Sequence, residues 1–263
     1  MNPTVPSFDD PADPHHQDAV GRPFGDTLRE LSVRFYQGIH APSRKPVCYL
    51  EEYERLFHRI RHLPLRIVEL GVQGGWSMLM WREYFPAATV IGVDVAARPD
   101  TFPDDPRFHF VQADQNDPRL GQMIGDVAGG PLDAVIDDAS HIGFYTGKSF
   151  RSLFPLVKPG GTYVIEDIAT SFTGCGDFDA APFVATEIGV DGMPKVFPSH
   201  QHGIVGLVKQ LADYTQSTVA LKQNAWSNWP IYRVSFLPNM AVITKCGSHL
   251  TDPAWSAAGG TGR

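Results

Sequence analysis

At 263 residues, 43% of them apolar, the chain has material for one large domain or two small ones and for a sizeable core. A formal charge of −7, with no basic run longer than Ser43-Arg44-Lys45, disfavours a nucleic-acid partner, and no stretch reaches the ~18–20 apolar residues of a membrane span. The N-terminus lacks the apolar core of a signal peptide, and Cys48, Cys175 and Cys246 have neither disulfide-framework nor zinc-ribbon spacing, so a cytoplasmic protein is expected.

Residues 1–25 and 248–263, rich in Pro, Gly, Asp and Ala, read as mobile tails around a domain spanning 26–247. His15 and His16 in the first tail read as a solvated pair. Over 26–64 the spacing is helical: Leu28, Leu31, Phe35 and Ile39 form one stripe, and Leu50, Tyr53, Leu56, Phe57 and Ile60 another. These helices exceed what a sheet needs for cover, which suggests a homo-oligomer. Short apolar runs then alternate with helical patterns. RIVELG (66–71), ATVIGVDV (88–95), RFHFVQAD (107–114), LDAVIDD (132–138) and GTYVIED (161–167) read as strands. SMLMWREYF, PRLGQMIGDV and FYTGKSFRSLFPLV between them read as helices. This alternation predicts an α/β fold with a doubly wound parallel sheet. IYRVSFLP and MAVITKC, joined at Pro-Asn, predict a closing antiparallel hairpin. Five parallel strands plus such a hairpin is the Rossmann-like plan of class I methyltransferases. The segment 173–202 falls where a lid over a site would lie.

Ligands of open α/β sheets gather at the carboxyl ends of strands, and here every parallel strand ends in acid: Glu69, Asp94, Asp114, Asp137 with Asp138, and Glu166 with Asp167. One strand-end acid is commonly a cap; Asp138 or Ser140 could cap a helix starting near Ile142. Five in succession repel one another unless cations bind. The glycine loop Glu69-Leu-Gly71-Val-Gln-Gly-Gly75-Trp-Ser77, with Asp94 about 25 residues after Glu69, is an E-x-G-x-x-x-G pattern common to S-adenosylmethionine sites. Asp94 suits ribose hydroxyls, while Asp114 and Gln115 suit the adenine and ribose side. The loop is not G-x-G-x-x-G, which argues against a nicotinamide oxidoreductase. Asp138, Glu166 and Asp167 offer three hard oxygen donors suited to Mg²⁺, with His141 in reach of whatever that ion holds.

At these residues the chain resembles the metal-dependent sugar O-methyltransferases of macrolide antibiotic pathways, the mycinamicin and tylosin type. The matching stretches lie in 47–172 and 203–247 and include VELGVQGGWSMLMWREYFPAATVIGVDV, QADQND and VIDDASHIGFYTGKSFRSLFPLVKPGGTYVIEDIATSF. The resemblance implies that Asp138, Glu166 and Asp167 bind Mg²⁺ and that His141 is the general base. It also implies that Glu69, Gly71, Asp94, Asp114 and Gln115 serve the S-adenosylmethionine site, to which Gly75, Ser77 and Asp137 are assigned as well. The implied acceptor is a small-molecule glycoside; a catechol-like ring, with Trp226 and Trp229 as possible contacts, or a cephalosporin-type acceptor is the alternative. The chain departs from the family before the first strand, where a Gly-Thr-Asp-Lys entrance is usual, at Ala139, where glycine is usual, and in 173–202.

Overall fold

The computed structural model describes residues 25–36, 45–172, 187–188, 190, 194–196, 202–216 and 229–247. Both proposed tails, apart from Gly25, and most of the proposed lid, including Cys175 and His200, lie outside these residues, as does Trp226.

Two helices come first, α1 (Leu28–Phe35) and α2 (Val47–Phe57). A capping box starts α1: the Thr27 hydroxyl accepts from the Glu30 amide, and the Thr27 amide donates to the Glu30 carboxylate at 2.8 Å. Strands and helices then alternate as β1 (Arg66–Leu70), α3 (Trp76–Tyr84), β2 (Thr89–Asp94), β3 (Phe108–Gln112), α4 (Leu120–Ala128), β4 (Leu132–Asp137), α5 (Gly143–Leu153) and β5 (Val157–Glu166). A two-stranded ribbon, β6 (Glu187–Ile188) with β7 (Pro194–Val196), precedes α6 (Gly203–Asp213). The hairpin β8 (Ile231–Leu237) and β9 (Met240–Lys245) closes the domain.

The main sheet has the order β3-β2-β1-β4-β5-β9-β8. Strands β1 to β5 are parallel, and β9 runs antiparallel between β5 and β8. Because β9 slots between β5 and β8, β8 points the same way as the first five strands, so β9 alone runs against the sheet. Strand order reverses between β1 and β4, which makes the carboxyl ends of those two strands the switch point.

Side chains alternate across the sheet. Ile67, Ala134, Ile136 and Val164 face a core built with α1, α2 and α3. Val68, Val135, Tyr163 and Ile165 face a second core under α4, α5 and α6. Helices α1 and α2 therefore cover one face of the sheet: Leu28, Leu31, Tyr49, Leu50, Tyr53 and Phe57 are all buried. Val33 on α1 and Val47 on α2 stay exposed on the side away from that core. Trp229 stacks on Phe150 at 4.9 Å and on Tyr214 at 6.0 Å within the second core, so its task is packing, not receiving an aromatic acceptor.

Candidate active site

A cavity of about 620 Å³ lies at the carboxyl ends of β1, β2 and β4, lined from Gly71 through Asp94 and Gln115 to Asp138, His141 and Asp167. The glycine loop builds its floor. Gly71 has φ +89°, and a Cβ there would sit 2.1 Å from the Asp138 carbonyl oxygen, so only glycine lets the β1 and β4 ends approach. The Asp138 amide donates to the Leu70 carbonyl at 2.9 Å, which fixes that approach. Asp94 accepts from the amides of Val72 (2.9 Å), Gln73 (2.8 Å) and Ala96 (2.9 Å), so it shapes the loop while lining the cavity. A carboxylate has about four acceptor positions, so capacity for a ribose hydroxyl remains. Asp114, Gln115 and Ser77 also line the cavity, and Gln115 Oε1 accepts from the Ser140 amide at 3.0 Å, tying the two halves of the rim together. The Nε2 donor of Gln115 is buried without a partner among the described residues.

Strand parity separates the acids that sequence spacing had grouped. Asp137 shares parity with Val135 and turns into the second core, where it accepts from Ser149 (2.5 Å) and Tyr163 (2.8 Å). Burial pushes its carboxyl up to about 6 against those two hydrogen bonds. It does not line the cavity. Glu69, with the parity of Ile67, points beneath the loop, fully buried, and accepts from Trp81 Nε1 at 2.7 Å. Glu69 likewise does not line the cavity. No side chain caps α5, which begins after Ile142, so the capping interpretation of Asp138 and Ser140 fails.

The cation that the acids require is partly supplied by the chain itself. Lys45, just before α2 and with its side chain 4% exposed, places Nζ 3.0 Å from Glu69, 2.8 Å from Asp138 Oδ2 and 2.7 Å from Glu166 Oε1. Burial alone would lower the Lys45 pKa, but Asp138, Glu166 and Glu69 together hold it well above normal, so it stays an ammonium. Burial, then the Asp138 charge, drives Glu166 strongly upward against Lys45 and Tyr53. Tyr49 and Tyr53 follow Lys45 at four-residue steps, one helical face. The Tyr53 hydroxyl donates to Glu166, and the Tyr49 hydroxyl lies 2.6 Å from Asp167 Oδ1 and 2.7 Å from the Asn239 carbonyl. Spacing assigned Tyr53 to an apolar stripe and overlooked Lys45 and Tyr49. The available signal was a lysine two residues before the second helix of a domain with surplus acid.

Asp138, His141 and Asp167 each offer one ligand atom, all within 4.8 Å of one another. His141 Nε2 is 3.6 Å from Asp167 Oδ2 and 4.0 Å from Asp138 Oδ1. Two carboxylates and an imidazole suit a divalent ion, so the donors present fit one. Glu166 is not in that group; its Oε1 faces Lys45 and Tyr53. His141 and Asp167 have φ of +56° and +55°, and Asn239, at the β8–β9 turn, has +59°. Asn239 Nδ2 donates to Asp167 Oδ1 and its Oδ1 accepts from the Ala169 amide, both at 2.7 Å, while its carbonyl accepts from Ile168 at 3.2 Å. Asn239 thus latches the segment that carries Asp167, a contact that no motif in the sequence announces.

No family model matches the chain. A tetracenomycin rhamnosyl 3'-O-methyltransferase of Streptomyces olivaceus is 42% identical over 127 residues, covering 46% of this chain and 32% of that protein. The mycinamicin VI 2''-O-methyltransferase of Micromonospora griseorubida is 38% identical over 156 residues, 55% of this chain and 37% of that one. The solved structure of the mycinamycin-pathway methyltransferase MycE in complex with Mg, S-adenosylhomocysteine and mycinamycin VI superposes with a TM-score of 0.68 at 30% identity, over 84% of this chain and 54% of that one. The chain spans about a third of the length of these sequence relatives and about half of MycE. Over the residues they share, its homologues are sugar O-methyltransferases of antibiotic pathways, and its fold is that of the class I methyltransferases.

Proposed function

We propose that the chain transfers a methyl group from S-adenosylmethionine to a hydroxyl of a small glycosylated natural product, with Mg²⁺ as cofactor. The observation that carries this is the convergence of Asp138, His141 and Asp167 at one end of a cavity whose other end is the Gly71–Asp94 loop. Gly71, Asp94, Asp114 and Gln115 would hold the nucleoside, with Gly75 and Ser77 beginning the helix beneath it. Asp138 and Asp167 would hold the ion, with Glu166 joining them if freed from Lys45. A divalent ion in that place supplies Lewis-acid polarisation of the acceptor hydroxyl.

His141 Nε2 takes the hydroxyl proton as the oxygen–methyl bond forms and the sulfur–methyl bond breaks; it must enter this step neutral. Tyr49 and Asn239 fix the Asp167 carboxylate and so fix where the acceptor oxygen stands. The relatives' names support a sugar as acceptor. The protein would work in the cytoplasm, where the free thiols Cys48 and Cys246 stay reduced. Among the described residues no helix is long and apolar enough to cross a membrane.

The test is methyl transfer from labelled S-adenosylmethionine to a panel of deoxysugar-bearing macrolides, with and without EDTA. Activity is expected only with divalent metal; full activity of stripped protein would refute the metal's part. His141→Ala should lower turnover by about 10²–10⁴-fold. The short distances from His141 Nε2 to both carboxylates favour a second possibility, that the imidazole is itself a ligand. Mn²⁺ affinity of the variant separates the two: a general base leaves it intact, and a ligand does not.

A further inference from the structure

We infer that Lys45 is a resident ammonium that competes with the divalent ion for Asp138 and Glu166, so that filling the metal site expels it toward the cavity. The inference rests on the metal-dependent reading above and concerns how the ion gains its oxygens. Lys45 Nζ is within 2.8 Å of an oxygen from each of those two acids and 3.0 Å from Glu69. Three carboxylates and one ammonium form a cluster in which every acid has a cationic neighbour before any ion arrives. That explains how three carboxyl groups can gather at one place without a metal.

The same contacts set the conflict. Asp138 offers Oδ1 toward His141 but commits Oδ2 to Lys45. Glu166 commits Oε1 to Lys45 and Tyr53 and stands outside the converging group of Asp138, His141 and Asp167. A divalent ion placed among these oxygens would lie close to an ammonium of like sign in a poorly solvated pocket, where repulsion is strong. Lys45 has an exit, because Lys45, Pro46 and Tyr49 form part of the cavity wall. The lysine would therefore hold the acid cluster together when the ion is absent and yield to it when it binds, which keeps the ion exchangeable.

The test measures Mn²⁺ binding to the full chain by electron paramagnetic resonance, without methyl donor or acceptor. Lys45→Met, checked for fold by circular dichroism, is expected to bind Mn²⁺ at least tenfold more tightly than the unaltered protein, and Lys45→Arg, which keeps the charge, should not. In the unaltered protein, acetylation of Lys45 followed by peptide mass spectrometry should rise when Mn²⁺ saturates; this measurement stands even if the variants misfold. Equal or weaker Mn²⁺ binding by folded Lys45→Met, or labelling of Lys45 that stays constant while the unaltered protein takes up Mn²⁺, overturns the inference. If the unaltered protein binds no Mn²⁺ but Lys45→Met does, the lysine blocks the site and competition stands. If neither binds it while S-adenosylhomocysteine still binds, the metal-dependent reading falls and the inference with it.

Discussion

At the scale of single residues, Asn239 joins two ends of the domain. It accepts a left-handed backbone at φ +59° and uses both side-chain atoms on the Asp167–Ala169 segment. Asn239→Gly keeps the turn and removes the amide, whereas Asn239→Ala removes the amide and strains the turn as well, since a left-handed non-glycine residue costs about 1 kcal/mol or more. The expected order of stability by urea unfolding is therefore wild type, then glycine, then alanine. Both variants should weaken Mn²⁺ binding to a similar degree, because Asp167 loses its latch in each. Glycine and alanine variants that differ in Mn²⁺ affinity would show that backbone strain, not the amide, governs the site.

At the scale of elements, Glu54 ties three helices. Its carboxylate accepts from the Leu28 amide that opens α1 (2.5 Å) and from the Tyr84 hydroxyl that ends α3 (2.8 Å), and it meets His58 Nδ1 on α2 at 3.2 Å. Burial would raise its pKa, but the bonds from His58, Leu28 and Tyr84 outweigh it and hold the carboxyl below its ordinary 4.5. A depressed carboxyl contributes stability that is fully present above the unfolded value and is lost as pH falls through the folded one. Glu54→Gln should cost about 1–3 kcal/mol near neutral pH, and the gap to wild type should shrink in denaturant unfolding curves as pH falls below the ordinary carboxylate range. A gap that stays constant across that range would remove charge from the explanation. The strands and helices of this domain were legible because their periods are strong: residues 66–71 and 132–138 have apolar runs too short for helices, with glycine or acid at their ends. Which acid goes to which face was legible in principle, since Asp137 and Asp138 must diverge on a strand. What spacing could not supply was the approach of Lys45, 93 residues from Asp138, or of Asn239, 72 residues from Asp167. Those meetings depend on how α2 crosses the sheet and on β9 lying beside β5.

At the scale of the whole molecule, the nucleoside end and the acid end share one wall, because Gly71 packs on the Asp138 backbone and Gln115 bonds Ser140. Ligand binding should therefore be felt throughout the domain. S-adenosylhomocysteine at ~100 times its Kd should add ~2.7 kcal/mol of stability and raise Tm by roughly 5–10 °C. Gly71→Ala should abolish that shift and destabilise the apo protein, since the added methyl collides with the Asp138 carbonyl; a normal shift in that variant would mean the loop is not the nucleoside floor.

The placement of β9 between β5 and β8 governs how this domain can be made. Strand β5 ends at Glu166, yet half of the latch on the next residue is Asn239, so a growing polypeptide must carry an Asp167 held by Tyr49 alone while more than seventy further residues are synthesised. During that interval the edge of β5 is bare and open to pairing with a stranger. Any truncation ahead of the last hairpin would leave a nascent chain with its nucleoside half built and its acid half slack, a natural client for chaperones.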